Sequence, residues 1–375
     1  MLNLTSFVFF GFTLIFSMPA YSDCREVRLD ADGGSMKHVP VRDQGVLPVC
    51  YAVTASQMAD AWRFSHGDTD YFSLSSPLEI AVMHSSTYNT EDDPHYVKHV
   101  FGEGSGHGGD VEEAIWYLKG KKGMCLGKNL DKFGGKTTYA VMSELFRNIQ
   151  YIKAKEILAE EDERKAGPKV EDVELKSGDC IPRSATDSVA LSNEAKLILS
   201  KLDHGRIGST GDFHVQLLKG MQAYFTQLCK DTRKPFRSEP KISKGIFRFP
   251  KEFGPKVSAH FDTGIEGTQP LAVNYCRNFL SRGSEAYIGR IPPVESKGGP
   301  SSMNTVAPGC NKHFSVIIGR RPGLIEGKCQ YLIQDSFGTG CGMFPRGMDC
   351  EGGKVWVDED RLANNAMAWV SLGSE

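Results

Sequence analysis

Residues 40–52 read Pro-Val-Arg-Asp-Gln-Gly-Val-Leu-Pro-Val-Cys-Tyr-Ala. Beyond them Ala52, Ala55, Ala59 and Trp62 recur at helical spacing, so a helix is expected from Cys50 to about Phe64. A cysteine in the first turn of a helix sits at the positive end of its dipole, facing backbone N–H groups that lack intrahelical partners. Both effects favour thiolate over thiol. A thiolate nucleophile also needs a base whose protonated form pairs with it, and donors for the oxyanion that develops on an attacked carbonyl. Gln44, six residues upstream, has a side-chain N–H to give, and the Cys50 backbone N–H is a second donor.

The base should be a histidine distant in sequence. His313 opens the apolar run "HFSVIIGR", and one strand later "QYLI" leads into Asp335 of "QDSFGTG", a group able to orient the imidazole. Each piece alone is weak, because a lone histidine at a strand start is usually structural. The joint order is far more restrictive: Gln, then Cys on a helix, then His on a strand, then Asp before Ser-Phe-Gly.

"PVRDQGVLPVCYA" resembles the active-site segment of papain-family cysteine peptidases, approximately P-V-x-x-Q-G-x-C-G-S-C-W-A. "NKHFSVIIGRR" resembles their N-H-A-V-x-x-V-G-Y segment, and "YLIQDSFGTGCG" their W-x-x-K-N-S-W-G-x-x-W-G segment. "GHGGD" resembles C-x-G-G, and "QPLAVNYC" the strand after G-P-V-A-V. All five occur in family order. The resemblance implies an α+β, two-lobed fold, with a helical left lobe and an antiparallel β right lobe. It implies Cys50 as nucleophile, His313 as general base and acid, Gln44 as oxyanion donor and Asp335 at the position of the orienting asparagine. Gly108 and Gly109 fall on the backbone that pairs with an extended peptide.

The departures are informative. Leu47 and Gly106 stand where the family has the two halves of one disulfide, so both are missing together. Tyr51 and Phe337 replace two tryptophans and keep an aromatic ring. Asp335 replaces an amide with a carboxylate, which still accepts the imidazole N–H and favours imidazolium more strongly. From Cys50 to His313 is 263 positions, against roughly 130–150 in papain-type enzymes. The excess matches residues 128–250, where 139–165, 187–203 and 212–230 read as helices, and the Lys- and Arg-rich 230–256 reads as a solvated loop in preference to a partner-binding patch. The expected organisation is a signal peptide at 1–22, a helical lobe at 23–127, a mostly helical insertion at 128–250 that restricts access to the cleft, and a β lobe at 251–375. Only 27 positions separate Asp23 from Cys50, leaving no room for a long pro-segment.

Composition sets the outer limits. The 375 residues carry 44 basic and 46 acidic side chains, a net charge of -2 that gives no reason to expect nucleic acid or an anionic membrane as partner. Residues 1–22 hold no charged side chain, and Phe7 to Met18 is a short apolar run before Ala20-Tyr21-Ser22. This reads as a secretory signal, too short for a spanning helix, and places the chain outside the cell or in a periplasm. Export makes disulfides permissible for the ten cysteines. Cys341 with Cys350 and Cys180 with Cys229 are candidate pairs, and with Cys50 set aside the remaining nine cannot all pair within the chain.

Rival motifs are poor. Gly104-x-Gly106-x-x-Gly109 follows a segment too polar for a buried strand, so a dinucleotide site is not expected. His95, His99 and His107 lack metal-binding spacing and read as loop histidines. No metal or cofactor is expected. The leading reading is an exported cysteine peptidase acting on peptides or proteins. The alternatives are other acyl transfer on the same triad, as in a transglutaminase or cell-wall amidase, and a catalytically silent binding protein. Oligomeric state is not encoded in any pattern above.

Overall fold

The computed structural model describes residues 24–44, 49–84, 109–120, 123–127, 132–133, 136–137, 222, 225–280 and 312–374. The signal at 1–22, Gly108, and the helices expected at 139–165 and 187–203 lie outside the described residues. Of 212–230, the helical turn at 225–228 is described.

The chain opens with β1 (Val27–Arg28) and then α1 (Cys50–Ser65). β2 (Leu74–Ser75), α2 (Pro77–His84), α3 (Val111–Lys119) and β3 (Met124–Gly127) complete a helical layer. The helix expected at 111–118 is α3, and Asp110 caps it by accepting from Glu112 N. A small hairpin follows, β4 (Lys132–Phe133) with β5 (Lys136–Thr137). The chain then passes through β6 (Arg233–Lys234), β7 (Lys241–Ile246), α4 (Phe253–Phe261) and β8 (Leu271–Cys276). β9 (Lys312–Pro322), β10 (Cys329–Gln334), β11 (Cys350–Glu351), β12 (Lys354–Asp358), α5 (Glu359–Ala363) and β13 (Ala366–Gly373) complete it.

The main sheet is antiparallel, in the order β11-β12-β10-β9-β8-β13-β7, with β1 added on β9. Its central strands are the apolar runs of the last third: β8, β9 and β10 are buried along nearly their whole length. α1 packs across β8 and β9 on one side and against α2 and α3 on the other. Sandwiched in this way, α1 is buried from Cys50 through Arg63. Small residues, Ala52, Ala55, Ala59 and Ala61, allow that close packing.

The polar groups on so buried a helix must be paired. Asp60 takes Arg63 Nη1 at 2.9 Å, Arg42 Nη2 at 2.9 Å and Ser75 N at 3.0 Å. Arg63 continues to Asp68 at 2.7 Å. This network ties the segment before Cys50 to the helix that begins there. Asp60→Ala removes the buried carboxylate that Arg42 and Arg63 share, leaving Arg63 with Asp68. It is expected to destabilise the fold by about 3–5 kcal/mol, measured as a shift of the urea midpoint.

Two expectations are corrected. Residues 230–256 are not a solvated loop. β6 pairs with β3, and β7 is the outermost strand of the main sheet against β13. "KISKGI" misleads because an edge strand keeps lysines and a glycine, which read as polar loop but protect a free edge. The Cys180–Cys229 pair is also wrong, because Cys229 is bonded to Cys125. The β3–β6 pairing, with Cys125 opposite Arg233, brings those two cysteines together at the base of the intervening segment. Cys341–Cys350 forms as expected, and Cys24–Cys329 fastens the N-terminal arm to β10. Cys276 is also disulfide-bonded, and Cys50 is free.

Candidate active site

Sheet register builds the site. Antiparallel pairing aligns Gln334 at the end of β10 with Val316 near the start of β9. Asp335, the next residue, therefore reaches the level of His313 and Ser315, which share one face of β9 by the two-residue period of a strand. His313 Nε2 lies 2.6 Å from Asp335 Oδ1, and both side chains are buried. The same oxygen accepts from Ser315 Oγ at 3.0 Å and Ser336 N at 2.8 Å. Tyr275 OH and Ser315 Oγ are 2.9 Å apart, which extends the network onto β8.

The helix meets this cluster from the other side. Cys50 is the first residue of α1, 8% exposed, and is hydrogen-bonded to the His313 side chain. With Nε2 on Asp335, Nδ1 is the ring nitrogen left for the sulfur. The arm before the helix is stitched to the strand extension beyond Asp335. Gln44 N donates to Ser336 O at 2.7 Å, and Gly338 N donates to Arg42 O at 2.9 Å. Gly338 has φ +77°, and a Cβ there would press on the Asp43 side chain at 3.2 Å, so glycine is required at this crossing. The Ser336 hydroxyl donates to Gln44 Oε1, so the amide NH2 is the end turned away from Ser336.

The electrostatics oppose burial. Burial pushes the Cys50 thiol up, but the charge and hydrogen bond of His313, with backbone N–H contacts, bring it below its ordinary value. Burial pushes His313 down, yet Asp335 and Cys50 raise it to about 9. Burial pushes the Asp335 carboxyl up, and His313, Arg277 and Ser336 N hold it at about 2. All three shifts favour one state, with thiolate, imidazolium and carboxylate in a row.

Gly109 is described, and it packs so closely on Tyr51 that a Cβ would lie 2.6 Å from the ring. Phe337 stacks on His313 with centroids 5.2 Å apart. Sequence reasoning missed Ser315 and Arg277, although Ser315 was legible as the residue two beyond His313 on the same strand face.

A layer of helices led by a cysteine-bearing helix lies on an antiparallel sheet whose neighbouring strands carry the histidine and the carboxylate. This is the α+β layout, a helical layer on an antiparallel sheet, that the resemblance to papain-family peptidases implies. Among solved structures, the chain is similar to bromelain from Ananas comosus in an inhibitor complex, at 10% identity over 94% of this chain and 99% of that one, TM-score 0.40. It is similar to the proform of the ragweed pollen cysteine protease Amb a 11, at 11% identity over 97% and 67%, TM-score 0.39. It is also similar to a structure from work on the mite allergens Blo t 1 and Der p 1, at 13% identity over 96% and 73%, TM-score 0.40. No family model and no curated protein matches the sequence. Where the family pattern has asparagine this chain has Asp335, and the described disulfides are Cys24–Cys329, Cys125–Cys229 and Cys341–Cys350.

Proposed function

We propose that this chain is an exported cysteine peptidase that cleaves peptide bonds through Cys50, His313 and Asp335. The observation that carries the reading is the buried cysteine at the start of α1, paired with an imidazole whose other nitrogen is held by a buried carboxylate. The Cys50 sulfur attacks the scissile carbonyl, forming a C–S bond. The oxyanion takes the Gln44 side-chain N–H and the Cys50 backbone N–H. His313 delivers the Nδ1 proton to the departing amine as the C–N bond breaks, leaving a thioester. Water then attacks the thioester, giving its proton to His313, and the acid product leaves with the thiolate restored. Gly108 and Gly109 are proposed to pair with the substrate backbone. The disulfides support export to an oxidising compartment, and among the described residues no helix is long and apolar enough to cross a membrane.

The test is selective alkylation. Iodoacetamide at near-neutral pH is expected to label Cys50 ahead of any other site, and prior acid unfolding to abolish that selectivity. Labelling no faster than that of a model thiol at the same pH would overturn the reading. Incubating a peptide substrate with and without an added amine separates hydrolysis from acyl transfer. Hydrolysis gives only new carboxyl termini, whereas transfer gives amide adducts.

A further inference from the structure

Asp335 has two oxygens, and they live differently. Oδ1 accepts from His313, Ser315 and Ser336. Oδ2 is buried with no hydrogen-bond partner among the described residues. A charged oxygen left that way is costly unless a counter-charge is close. Arg277 supplies one, with Nε 3.6 Å from Oδ2. The guanidinium carbon sits over the Phe337 ring, 3.8 Å from its centroid, and Phe337 stacks in turn on His313. Arg277 Nη2 also reaches Met343 Sδ at 3.8 Å, and its side chain is 17% exposed. It opens the 3-10 turn Arg277–Leu280 directly after disulfide-bonded Cys276, whose N–H donates to Asn365 O. Its backbone is therefore pinned.

We propose that Arg277 is a positioning residue that makes a carboxylate workable behind His313, by neutralising the outer Asp335 oxygen and clamping Phe337 against the imidazole. The proposal rests on the peptidase reading and deepens it. An orienting amide would present NH2 where Oδ2 now stands, and a guanidinium beside NH2 is a clash of donors. Asp335 and Arg277 are thus a matched pair. Among the described residues, the titratable and charged groups facing His313 are Cys50 from α1, Asp335 from the end of β10, Tyr275 from β8 at 5.7 Å and, beyond Phe337, Arg277. Only Arg277 among them brings fixed positive charge, which opposes imidazolium and keeps His313 able to release its proton.

Arg277→Met is made alone and together with Asp335→Asn, and Arg277→Lys alone. Two readouts are taken: kcat and KM on a peptide substrate, and the rate of Cys50 alkylation by iodoacetamide against pH. Arg277→Met alone is expected to lower kcat about tenfold with little change in KM. The alkaline inflection of alkylation should rise by about half a pH unit, because a cation near the imidazolium is gone. Arg277→Lys should restore the inflection but not the whole of kcat, since an ammonium lacks the planar face that a guanidinium offers Phe337. With Asp335→Asn already present, Arg277→Met should leave kcat unchanged or raise it. An equal loss in both backgrounds, or an unmoved inflection, would overturn the proposal. Should Arg277→Met fail to fold, the equally uncharged Arg277→Gln, made in the same two backgrounds, carries the comparison. Failure of the unaltered protein to alkylate selectively at Cys50 would instead overturn the peptidase reading itself.

Discussion

Cys50→Ser is expected to lower kcat/KM on peptide amides by about four to six orders of magnitude, with the melting temperature shifted by only a few degrees. A serine hydroxyl stays protonated beside His313, so the ion pair that stores the attacking charge never forms. Nothing else is lost, because the oxygen is smaller than sulfur and the site is already built to hold a polar atom. His313→Ala should be nearly as damaging, for the opposite reason. Without the imidazolium, burial alone governs the thiol and pushes it up, and no proton is available for the leaving amine. The double variant should be hardly worse than either single one, since each removes the same step. A second readout follows from the coupling. Cys50 is one of the groups that raise His313, so Cys50→Ser should move the His313 titration down from about 9, visible by NMR of the ring protons. Residual activity above about one percent would take Cys50 out of the chemistry, because oxyanion donors and binding alone leave far less.

These residues were readable before any coordinates because each sits where local rules are strong. A helix start is marked by periodicity and a turn-rich approach, so Cys50 and α1 stood out. The apolar runs at 271–276, 312–320 and 329–334 are central strands buried on both faces, and such strands read as near-continuous hydrophobic segments. β7 was not readable, since an edge strand with Lys241, Lys244 and Gly245 carries no such run. Arg277 was invisible for a different reason. Its meaning depends on lying against Phe337 and Asp335, 60 and 58 positions further on, and no spacing rule connects them. Disulfide partners were equally opaque apart from the local Cys341–Cys350 loop. Cys24 meets Cys329 across 305 positions only because the N-terminal arm lies along the β9–β10 hairpin.

Asp335 separates two requirements that a single substitution confounds. Asp335→Ala is expected to cost about two to four orders of magnitude in kcat. It removes the shared acceptor of His313 Nε2, Ser315 Oγ and Ser336 N, leaving Ser315 with Tyr275 alone and the imidazole free to turn. Asp335→Asn keeps an oxygen at the Oδ1 position and is expected to cost far less than Asp335→Ala, its remaining loss coming from the amide NH2 that then faces Arg277. In a triad whose histidine rests neutral, an amide costs far more because it selects the wrong tautomer. Here the histidine rests as imidazolium, both ring nitrogens carry protons, and a carbonyl oxygen accepts from either. What changes is the pH range. Asp335 is the leading force holding His313 at about 9 against burial, so its neutralisation should bring the alkaline limb of kcat/KM down. Stability follows the same linkage. His313, raised in the folded state, contributes fully below its unfolded value near 6.5, and that contribution disappears as pH rises through about 9. Asp335, lowered in the folded state, contributes above its unfolded value of 3.8, and its share is lost as pH falls through about 2. The unaltered protein should therefore lose stability at both extremes. Asp335→Asn should blunt the acid-side loss and move the alkaline one to lower pH, as followed by urea midpoints across the range. An alkaline limb that stayed in place in Asp335→Asn would mean that Cys50 alone sustains the imidazolium, and that the carboxylate serves only as an acceptor.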